Sequence, residues 1–323
     1  MSSNTEIKKD YLVDLLFMYA LTPVHMGSGQ SLSYVDLPIQ REKVTSFPVL
    51  WSSGIKGVFR TNFSRYLDIN SDNKNLVDTI FGPEDSDDSF SSCISITDAK
   101  ILFYPVRSLK GVLAYITSPF VLKRFFNELS SLLNKNNELN KNNAFNDLKN
   151  LNLEDNKIVI KNDSILKISD SQVALEEFVF DIDNSDLVNK LFEVELSKVK
   201  LFKELKEFVG DNDFEKRVAI VSDNVFKDFV NYSVEIRTRI RIDQEKGVTK
   251  EGALFTQEFT PSNSIFYSFI FTKDSFNQNH KLDKNQVNSK INEFLNKFNI
   301  LQFGSDETLG KGLIKLKNIN LID

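Results

Sequence analysis

Apolar residues along the chain follow two periods, and each period predicts a different kind of element. The run YLVDLLFMYAL at 11–21 is almost continuously apolar and predicts a buried strand. Similar runs predict a strand pair or one bent strand at 94–106, and single strands at 218–223 and 265–272. Together these runs predict enough strands to form a large β-sheet.

Elsewhere apolar residues recur every three or four positions, which is the period of a helix. Such stripes run from Ile55 to Leu67, from Leu122 to Leu133 and from Val287 to Phe298, and a further helix is predicted through Val230. Ser52 or Ser53 is available as the N-cap of the first of these helices. The alternation of strands and helices predicts an α+β fold with helices on one face of the sheet.

The segment 233–259 predicts a β-hairpin with two unlike faces. In VEIRTRIRID the charged residues Glu235, Arg237, Arg239, Arg241 and Asp243 alternate with the apolar or neutral residues Val234, Ile236, Thr238, Ile240 and Ile242. We expect the apolar face to rest on protein and the charged face to point outward. An ordinary edge hairpin with salt-bridged charges fits the same pattern.

Asparagine and glycine are unevenly distributed. Residues 134–162 contain 11 asparagines, and this composition predicts a surface insertion with poor helix and strand propensity. The glycines form two clusters at opposite ends of the chain: Gly27, Gly29, Gly54 and Gly57, and Gly304, Gly310 and Gly312. Such clusters are typical of tight turns or of backbone that closely approaches a ligand such as a phosphate chain.

Charge is also distributed unevenly along the 323 residues, although the formal net charge is only -5. Residues 38–67 carry five bases and one acid, residues 99–127 carry five bases and no acid, and residues 176–215 carry twelve acids and five lysines. A basic surface beside an acidic flank could bind a polyanion. In SSGIKGVFR, Ser53, Gly54 and Lys56 lie at a predicted helix N-terminus, where they could hold a phosphate, with Arg60 one turn later.

Cysteine and histidine are too few for several kinds of site. The single Cys93 excludes an internal disulfide, and with only His25 and His280 a structural zinc site is not expected. The chain shows neither a signal peptide nor an apolar run long enough to span a membrane. We therefore expect a cytoplasmic protein without a membrane partner.

Five segments in order resemble the RAMP proteins, and more narrowly the backbone subunits of type III-B CRISPR effector (Cmr) complexes. They are HMGSGQSLSYVDLPIQRE (25–42), SSGIKGVFR (52–60), FGPE (81–84), PVRSLKGVLAYITSPFVLKRF (105–125) and FGSDETLGKGLIKL (303–316). The resemblance implies a single domain over 1–323 with a ferredoxin-like, RNA-recognition-like core and an inserted finger region. Its palm would comprise about 11–125 and 260–323, its Asn-rich insertion about 134–162, and its thumb hairpin about 233–259.

The resemblance also implies a function in antiviral defence. The subunit would bind CRISPR guide RNA, stack with other copies of itself and other Cmr subunits, and cleave bound single-stranded target RNA at regular intervals. Asp36 matches the family's catalytic aspartate, which would hold Mg²⁺ or Mn²⁺ together with RNA. RNA binding is expected at His25, Gly27, Gly29, Arg41, Ser53, Lys56, Arg60, Arg107 and Lys311, and thumb contacts at Arg237, Arg239, Arg241 and Glu258.

Two other functions fit the same residues. In one, the subunit is an RNA-binding filament component in which Asp36 has no chemical role. In the other, it is an endoribonuclease that processes guide precursors with His25 as general base. Glu258 is a possible second carboxylate, and the sequence does not place it relative to Asp36.

Overall fold

The computed structural model describes residues 10–31, 34–67, 71–84, 90–133, 143–196, 198–240, 242, 247 and 254–321. The strands in these residues are β1 Tyr11–Ala20, β2 Val49–Leu50, β3 Ile94–Ile96, β4 Ala99–Arg107, β5 Leu113–Thr117, β6 Lys157–Ile160, β7 Gln172–Leu175, β8 Phe178–Ile182, β9 Glu195–Leu196, β10 Val199–Lys200, β11 Val218–Val221, β12 Glu235–Arg239, β13 Phe255–Phe259, β14 Ile265–Lys273, β15 Ile300–Gln302 and β16 Leu313–Asn320.

The α-helices in the same part of the chain are α1 Ser52–Tyr66, α2 Ser71–Phe81, α3 Pro119–Leu133, α4 Asn143–Asn150, α5 Leu187–Phe192, α6 Leu201–Val209, α7 Phe214–Arg217, α8 Asp223–Tyr232 and α9 Lys284–Lys297. A short 3-10 helix spans Glu307–Leu309. Every strand and helix that the apolar periods predict is present. None of the described helices is long and apolar enough to cross a membrane.

The core of the large sheet has the ferredoxin-like arrangement. Strands β16, β1, β14 and β4 are neighbours in that order, and all three pairings are antiparallel. Helix α1 lies between β1 and β4 in the chain, and α9 lies between β14 and β16. This is a βαββαβ unit with spatial strand order 4-1-3-2, so the predicted α+β core is confirmed.

The prediction that helices cover only one face of the sheet is wrong. On β1, Phe17 packs against Phe125 of α3 with ring centroids 6.3 Å apart. Asp14 lies on the opposite face, because side chains alternate along a strand, and it accepts a hydrogen bond from Asn288 of α9. Residues Val13–Ala20 are all buried, so both faces of β1 are covered. The continuous apolar run reflects this double coverage.

The described part of the Asn-rich segment is more ordered than predicted. Residues 143–150 form α4, on which Ala144, Phe145 and Leu148 are buried, and the ring of Phe145 lies 5.8 Å from that of Phe126. Strand β6 then joins the sheet by antiparallel pairing with β11. Asparagine lowers the intrinsic propensity for both elements, but burial of the few apolar residues outweighs it. Residues 134–142 of the predicted insertion lie outside the described residues.

Candidate functional site

The hairpin predicted at 233–259, the predicted thumb, is present, and its second strand contacts the loop that carries Asp36. Strands β12 and β13 pair with each other from Glu235–Phe259 to Arg239–Phe255 and form a two-stranded sheet of their own. The outer edge of β13 pairs with Leu37, whose N–H donates to the Thr256 carbonyl at 3.1 Å and whose carbonyl accepts from the N–H of Glu258 at 3.0 Å. The loop that carries Asp36 thus forms a short third strand along the thumb.

Asp36 is exposed, and Thr256 on β13 holds its side chain. One carboxylate oxygen, Oδ2, accepts from the Thr256 N–H at 2.7 Å and from its hydroxyl at 2.9 Å. The N–H of Asp36 donates in turn to the Thr256 hydroxyl oxygen at 3.0 Å. The bonds from the Thr256 backbone and side chain lower the pKa of Asp36 below its usual value. The side chain is therefore a stable carboxylate at neutral pH.

The protein groups around Asp36 do not form a complete metal site by themselves. Among the described residues, no three His, Cys, Asp or Glu side chains are grouped so that they could hold a metal ion. One carboxylate combined with phosphate oxygens and waters is, however, a common donor set for Mg²⁺. The donors present fit a divalent cation that RNA and Asp36 hold jointly.

His25 is 5% exposed and lies beside the same strand. Its Nδ1 is 2.6 Å from the Glu258 carbonyl oxygen, which can only accept, so Nδ1 carries a proton. In the neutral ring Nε2 is then a hydrogen-bond acceptor. A Cβ atom at Gly27 would lie 2.7 Å from Nε2, so glycine leaves this nitrogen uncovered.

Glu258 and Arg41 bind each other. The Arg41 guanidinium donates to Glu258 Oε1 at 2.6 Å, and Glu258 Oε2 accepts from the N–H of Ile39 at 2.9 Å. Arg41 also donates to the carbonyls of Ser46 at 2.8 Å and Val230 at 3.1 Å. The RNA contact at Arg41 stays a prediction, and these bonds inside the protein argue against it. Glu258 likewise has both oxygens occupied.

The apolar face of the hairpin is exposed, contrary to the prediction, and the charged face is only partly turned toward the protein. Ile236, Ile240 and Ile242 are 44%, 53% and 58% exposed, although we expected them to rest on protein. On the other face, Arg239 donates to Asp306 at 2.7 Å. Arg237 pairs with Glu235 on its own strand, and its guanidinium carbon lies 5.6 Å from the centre of the Phe259 ring.

These arginines can turn toward the protein because the Asp306 carboxylate and the aromatic rings of β13 bind their guanidinium groups. Burial by itself would raise the pKa of Asp306, but the bonds from Arg239 and Gln257 outweigh it and lower that pKa. Asp306 thus pairs with a basic side chain. Arg241 of the predicted thumb set lies outside the described residues.

The two glycine clusters meet in one cavity of about 500 Å³. Its lining includes His25 and the glycines Gly27, Gly29, Gly54 and Gly304. Gly304 has a φ of +80°, and a Cβ there would lie 2.2 Å from the His25 carbonyl oxygen. The glycines therefore serve close packing of two distant loops, and they leave an open cavity next to His25.

The N-terminus of α1 differs in detail from the predicted phosphate cradle. Trp51, not Ser52 or Ser53, is the N-cap residue, and the carboxylate of Asp98 accepts from the N–H of Ser52 at 2.7 Å. Ser53 is exposed. Lys56 is partly buried, and this burial together with the charge of Arg60 lowers the pKa of Lys56.

Bonds within the protein argue against the predicted RNA contact at Arg60. Its guanidinium donates to Glu84 at 3.0 Å and also to Asp78 and to the carbonyl of Gly82. These bonds join α1 to the end of α2, so the donors of Arg60 are occupied by protein.

Arg107 and Lys311 have different surroundings. Arg107 is 65% exposed in its side chain and pairs with Glu177 at 2.7 Å and Glu176 at 3.3 Å, in the acidic segment. Its charge is largely neutralised there, which weakens the prediction that it binds RNA. The Lys311 ammonium lies 5.8 Å from the centre of the Phe259 ring, at the base of the thumb. Lys311 therefore lies beside the strand that holds Asp36.

Sequence reasoning missed Thr256 and Gln257. Thr256 holds Asp36, and Gln257 donates to Asp306 at 2.8 Å and accepts from Arg239 at 2.8 Å. Three consecutive polar residues in the predicted hairpin, TQE at 256–258, could have indicated their role. Adjacent side chains on a strand point to opposite faces, so these residues place polar side chains on both faces of β13. Each face therefore needs polar partners.

Comparisons with known proteins agree with this geometry. The model of the RAMP superfamily matches residues 17–315. The CRISPR system Cmr endoribonuclease Cmr4 of Pyrococcus furiosus is 38% identical over 314 residues, which are 95% of each chain. The CRISPR system CMR subunit Cmr4 of Saccharolobus solfataricus is 26% identical over 322 residues, 94% of this chain and 96% of the relative.

Two solved structures are similar over almost their whole length. A crystal structure of oligomeric Cmr4 from Pyrococcus furiosus has a TM-score of 0.67 and 31% identity, and covers 97% of this chain and 99% of that one. A chain in the cryo-EM structure of the type III-B Cmr-beta complex bound to cognate target RNA has a TM-score of 0.72. At 21% identity, over 96% of this chain and 98% of that chain, this second likeness concerns the fold.

Proposed function

Because the chain belongs to the RAMP superfamily, we propose that it is the guide-RNA-binding backbone subunit of a type III-B CRISPR effector complex in antiviral defence. The 38% identity to the Cmr endoribonuclease of Pyrococcus furiosus supports this assignment. The likeness to an oligomeric Cmr4 supports stacking with other copies of itself. Its partners are guide RNA, single-stranded target RNA and the other Cmr subunits. The complex works in the cytoplasm, where the buried Cys93 remains a thiol.

The subunit is an endoribonuclease that cleaves bound target RNA in the assembled complex, and Asp36 is its catalytic residue. One observation carries this assignment: Asp36 presents an exposed carboxylate at the base of the thumb hairpin, while Thr256 fixes one of its oxygens. A reactive group on a strand-supported loop is held more precisely than one on a free loop. The second oxygen, Oδ1, points to no hydrogen-bond partner within the described residues and is available for RNA.

The reaction is attack of the target's own 2'-hydroxyl on the adjacent phosphate. The bond from O2' to phosphorus forms as the 2'-hydroxyl gives up its proton to water. The bond from phosphorus to O5' breaks and O5' takes a proton from water, which leaves a 2',3'-cyclic phosphate and a 5'-hydroxyl. Asp36 accepts a hydrogen bond from the 2'-hydroxyl and orients it in line. Its lowered pKa makes it a weak base, so orientation and charge are its main contributions.

Asp36 would hold a divalent cation, Mg²⁺ or Mn²⁺, when RNA is bound. The cation would offset negative charge that develops on the phosphate. The other contributions come from side chains of the protein itself. His25 offers Nε2 toward the glycine-lined cavity, and as an acceptor in the neutral ring it suits a ribose hydroxyl better than a phosphate.

The guide-binding surface is narrower than the sequence predicts. Lys311 beside the thumb, Lys56 and Ser53 at the start of α1, and Gly27 and Gly29 at the cavity remain its members. Arg41, Arg60 and Arg107 leave it, because protein carboxylates bind their guanidinium groups. The exposed face of the thumb is apolar around Ile236 and Ile240.

The test is single-turnover cleavage by the complex assembled with guide RNA, matched target and Mg²⁺ or Mn²⁺. We expect Asp36→Asn to bind target like the wild type and to lose cleavage at the regular sites. Asp170→Asn, an exposed aspartate in the turn before β7, is the matched control and should cleave normally. Cleavage by the Asp36→Asn complex at the wild-type rate would falsify the catalytic assignment. Cutting of repeat RNA by the isolated subunit would instead indicate a guide-precursor endoribonuclease.

A further inference from the structure

The thumb hairpin is attached to the palm in a way that includes the catalytic loop. Strands β12 and β13 pair with no strand of the large sheet within the described residues. Along the outer edge of β13, the backbone of Leu37 exchanges two hydrogen bonds with Thr256 and Glu258. The loop around Asp36 is therefore bonded to the thumb as a strand would be, and a displacement of the thumb carries the loop with it.

Thr256 extends this attachment from the backbone to the carboxylate. Its N–H and its hydroxyl both reach Asp36 Oδ2, at 2.7 and 2.9 Å, and its hydroxyl oxygen accepts from the Asp36 N–H at 3.0 Å. The two residues are 220 positions apart in the chain, so no local turn produces this contact. A free aspartate side chain rotates about two bonds, whereas this one is held in a single orientation.

The rest of the loop is fixed to the same strand. Glu258 Oε2 accepts from the N–H of Ile39, and its Oε1 accepts from Arg41. Thr256 and Glu258 lie on one face of β13, because they are two positions apart on a strand. This face therefore binds the loop around Asp36 through two side chains. Only Thr256 contacts the Asp36 carboxylate itself.

We propose that Thr256 is a positioning residue that couples the thumb to Asp36, so that β13 holds the carboxylate in its working position. The inference rests on the proposed function of Asp36. Its consequence is that loss of the Thr256 hydroxyl slows cleavage without loss of target binding. A displacement of about 1 Å at a reacting group is enough to lower a rate about 100-fold.

The test compares Thr256→Val, which removes the hydroxyl and keeps both shape and N–H, with Thr256→Ser, which retains the hydroxyl. Single-turnover cleavage at saturating target and target affinity are measured on the assembled complex. We expect Thr256→Val to lower the cleavage rate about 10- to 100-fold, the range for one hydrogen bond to a charged group, and to change affinity less than about twofold. Thr256→Ser should restore most of the rate.

Amide hydrogen exchange of the isolated subunit gives a readout that does not depend on activity. The peptide that contains Asp36 should exchange faster in Thr256→Val than in the wild type or in Thr256→Ser. Thr238→Val is the matched control for this measurement, since Thr238 lies directly opposite Thr256 on the hairpin. It should leave the exchange of that peptide unchanged.

The outcomes separate this inference from the proposed function. If Thr256→Val cleaves and exchanges like the wild type while Asp36→Asn is inactive, Thr256 does not position Asp36, and the proposed function stands. If Asp36→Asn is active, the proposed function fails and this inference fails with it. Equal losses of rate and affinity in Thr256→Val and Thr256→Ser would assign Thr256 to the stability of the hairpin and overturn the coupling.

Discussion

The guanidinium of Arg41 lies 2.6 Å from the carboxylate of Glu258, and the two side chains are only 20% and 8% exposed. They are 217 positions apart in the chain. The pair closes the loop that carries Asp36 against the thumb strand. A basic residue from a positively charged stretch thus has a structural role, and a carboxylate that could have served catalysis neutralises it.

Loss of one partner of this pair should destabilise the fold. Arg41→Ala leaves the largely buried Glu258 without its cation, and we expect the free energy of unfolding to fall by about 3 kcal/mol. Urea unfolding of the isolated subunit measures this. Adding Glu258→Gln to Arg41→Ala should recover part of the loss, because it removes the uncompensated charge. Unchanged stability with weakened guide binding would return Arg41 to the RNA surface.

Lys56 and Arg60 lie one helical turn apart. Removing the charge of each should have a different effect on guide binding and on stability. Lys56→Gln should weaken guide binding and reduce the slope of log affinity against log salt by about 0.7, the value for one phosphate contact on a single strand. Arg60→Gln should leave that slope unchanged and lower the free energy of unfolding by about 2 kcal/mol, since it loses its bonds to Asp78 and Gly82. Filter binding at several salt concentrations and urea unfolding measure the two effects.

Alanine substitutions at Gly304 and Gly310 separate the cost of backbone strain from the cost of a close contact. Both have positive φ, +80° and +67°, so alanine at either costs about 1 kcal/mol from conformation alone. A Cβ at Gly304 also meets the His25 carbonyl oxygen at 2.2 Å, whereas a Cβ at Gly310 meets nothing within 4 Å. We expect Gly304→Ala to be the more destabilising by about 2 kcal/mol in urea unfolding. Equal losses would show that the approach to His25 is easily relaxed.

Asp14 should make the stability depend on pH. It is 2% exposed, and burial raises its pKa in spite of hydrogen bonds from Asn318 and Asn288. A raised carboxyl pKa means that the folded state holds the proton more tightly than the unfolded state. Its contribution to stability is therefore present at low pH and is lost as pH rises through the folded-state pKa.

Asp14→Asn removes this ionisation. We expect the variant to gain in melting temperature over the wild type as pH rises from about 4 to about 7. An amide at position 14 can also donate to Asn318 Oδ1, a buried oxygen that has no hydrogen-bond partner among the described residues. A difference between the two proteins that is constant over this pH range would exclude Asp14 as the titrating group.

Local patterns in the sequence predicted the elements well. The unbroken apolar run at 11–21 became β1, the stripe from Ile55 became α1, and the alternation in 233–259 became the hairpin of β12 and β13. These patterns report burial within a few residues, and burial drives element formation. They failed in the Asn-rich segment, where α4 owes its stability to packing on α3, a contact that local propensity does not include.

The sequence by itself determined the elements, the βαββαβ order, the family motifs and Asp36 as the candidate catalytic residue. The tertiary structure alone decided which charges are paired within the protein. Arg41 and Arg60 are neutralised by partners that lie far along the chain or on another helix, and Arg239 turns inward because Asp306 receives it. A charge on a globular protein is free or paired according to what the fold brings within about 4 Å, and no window of sequence contains that information.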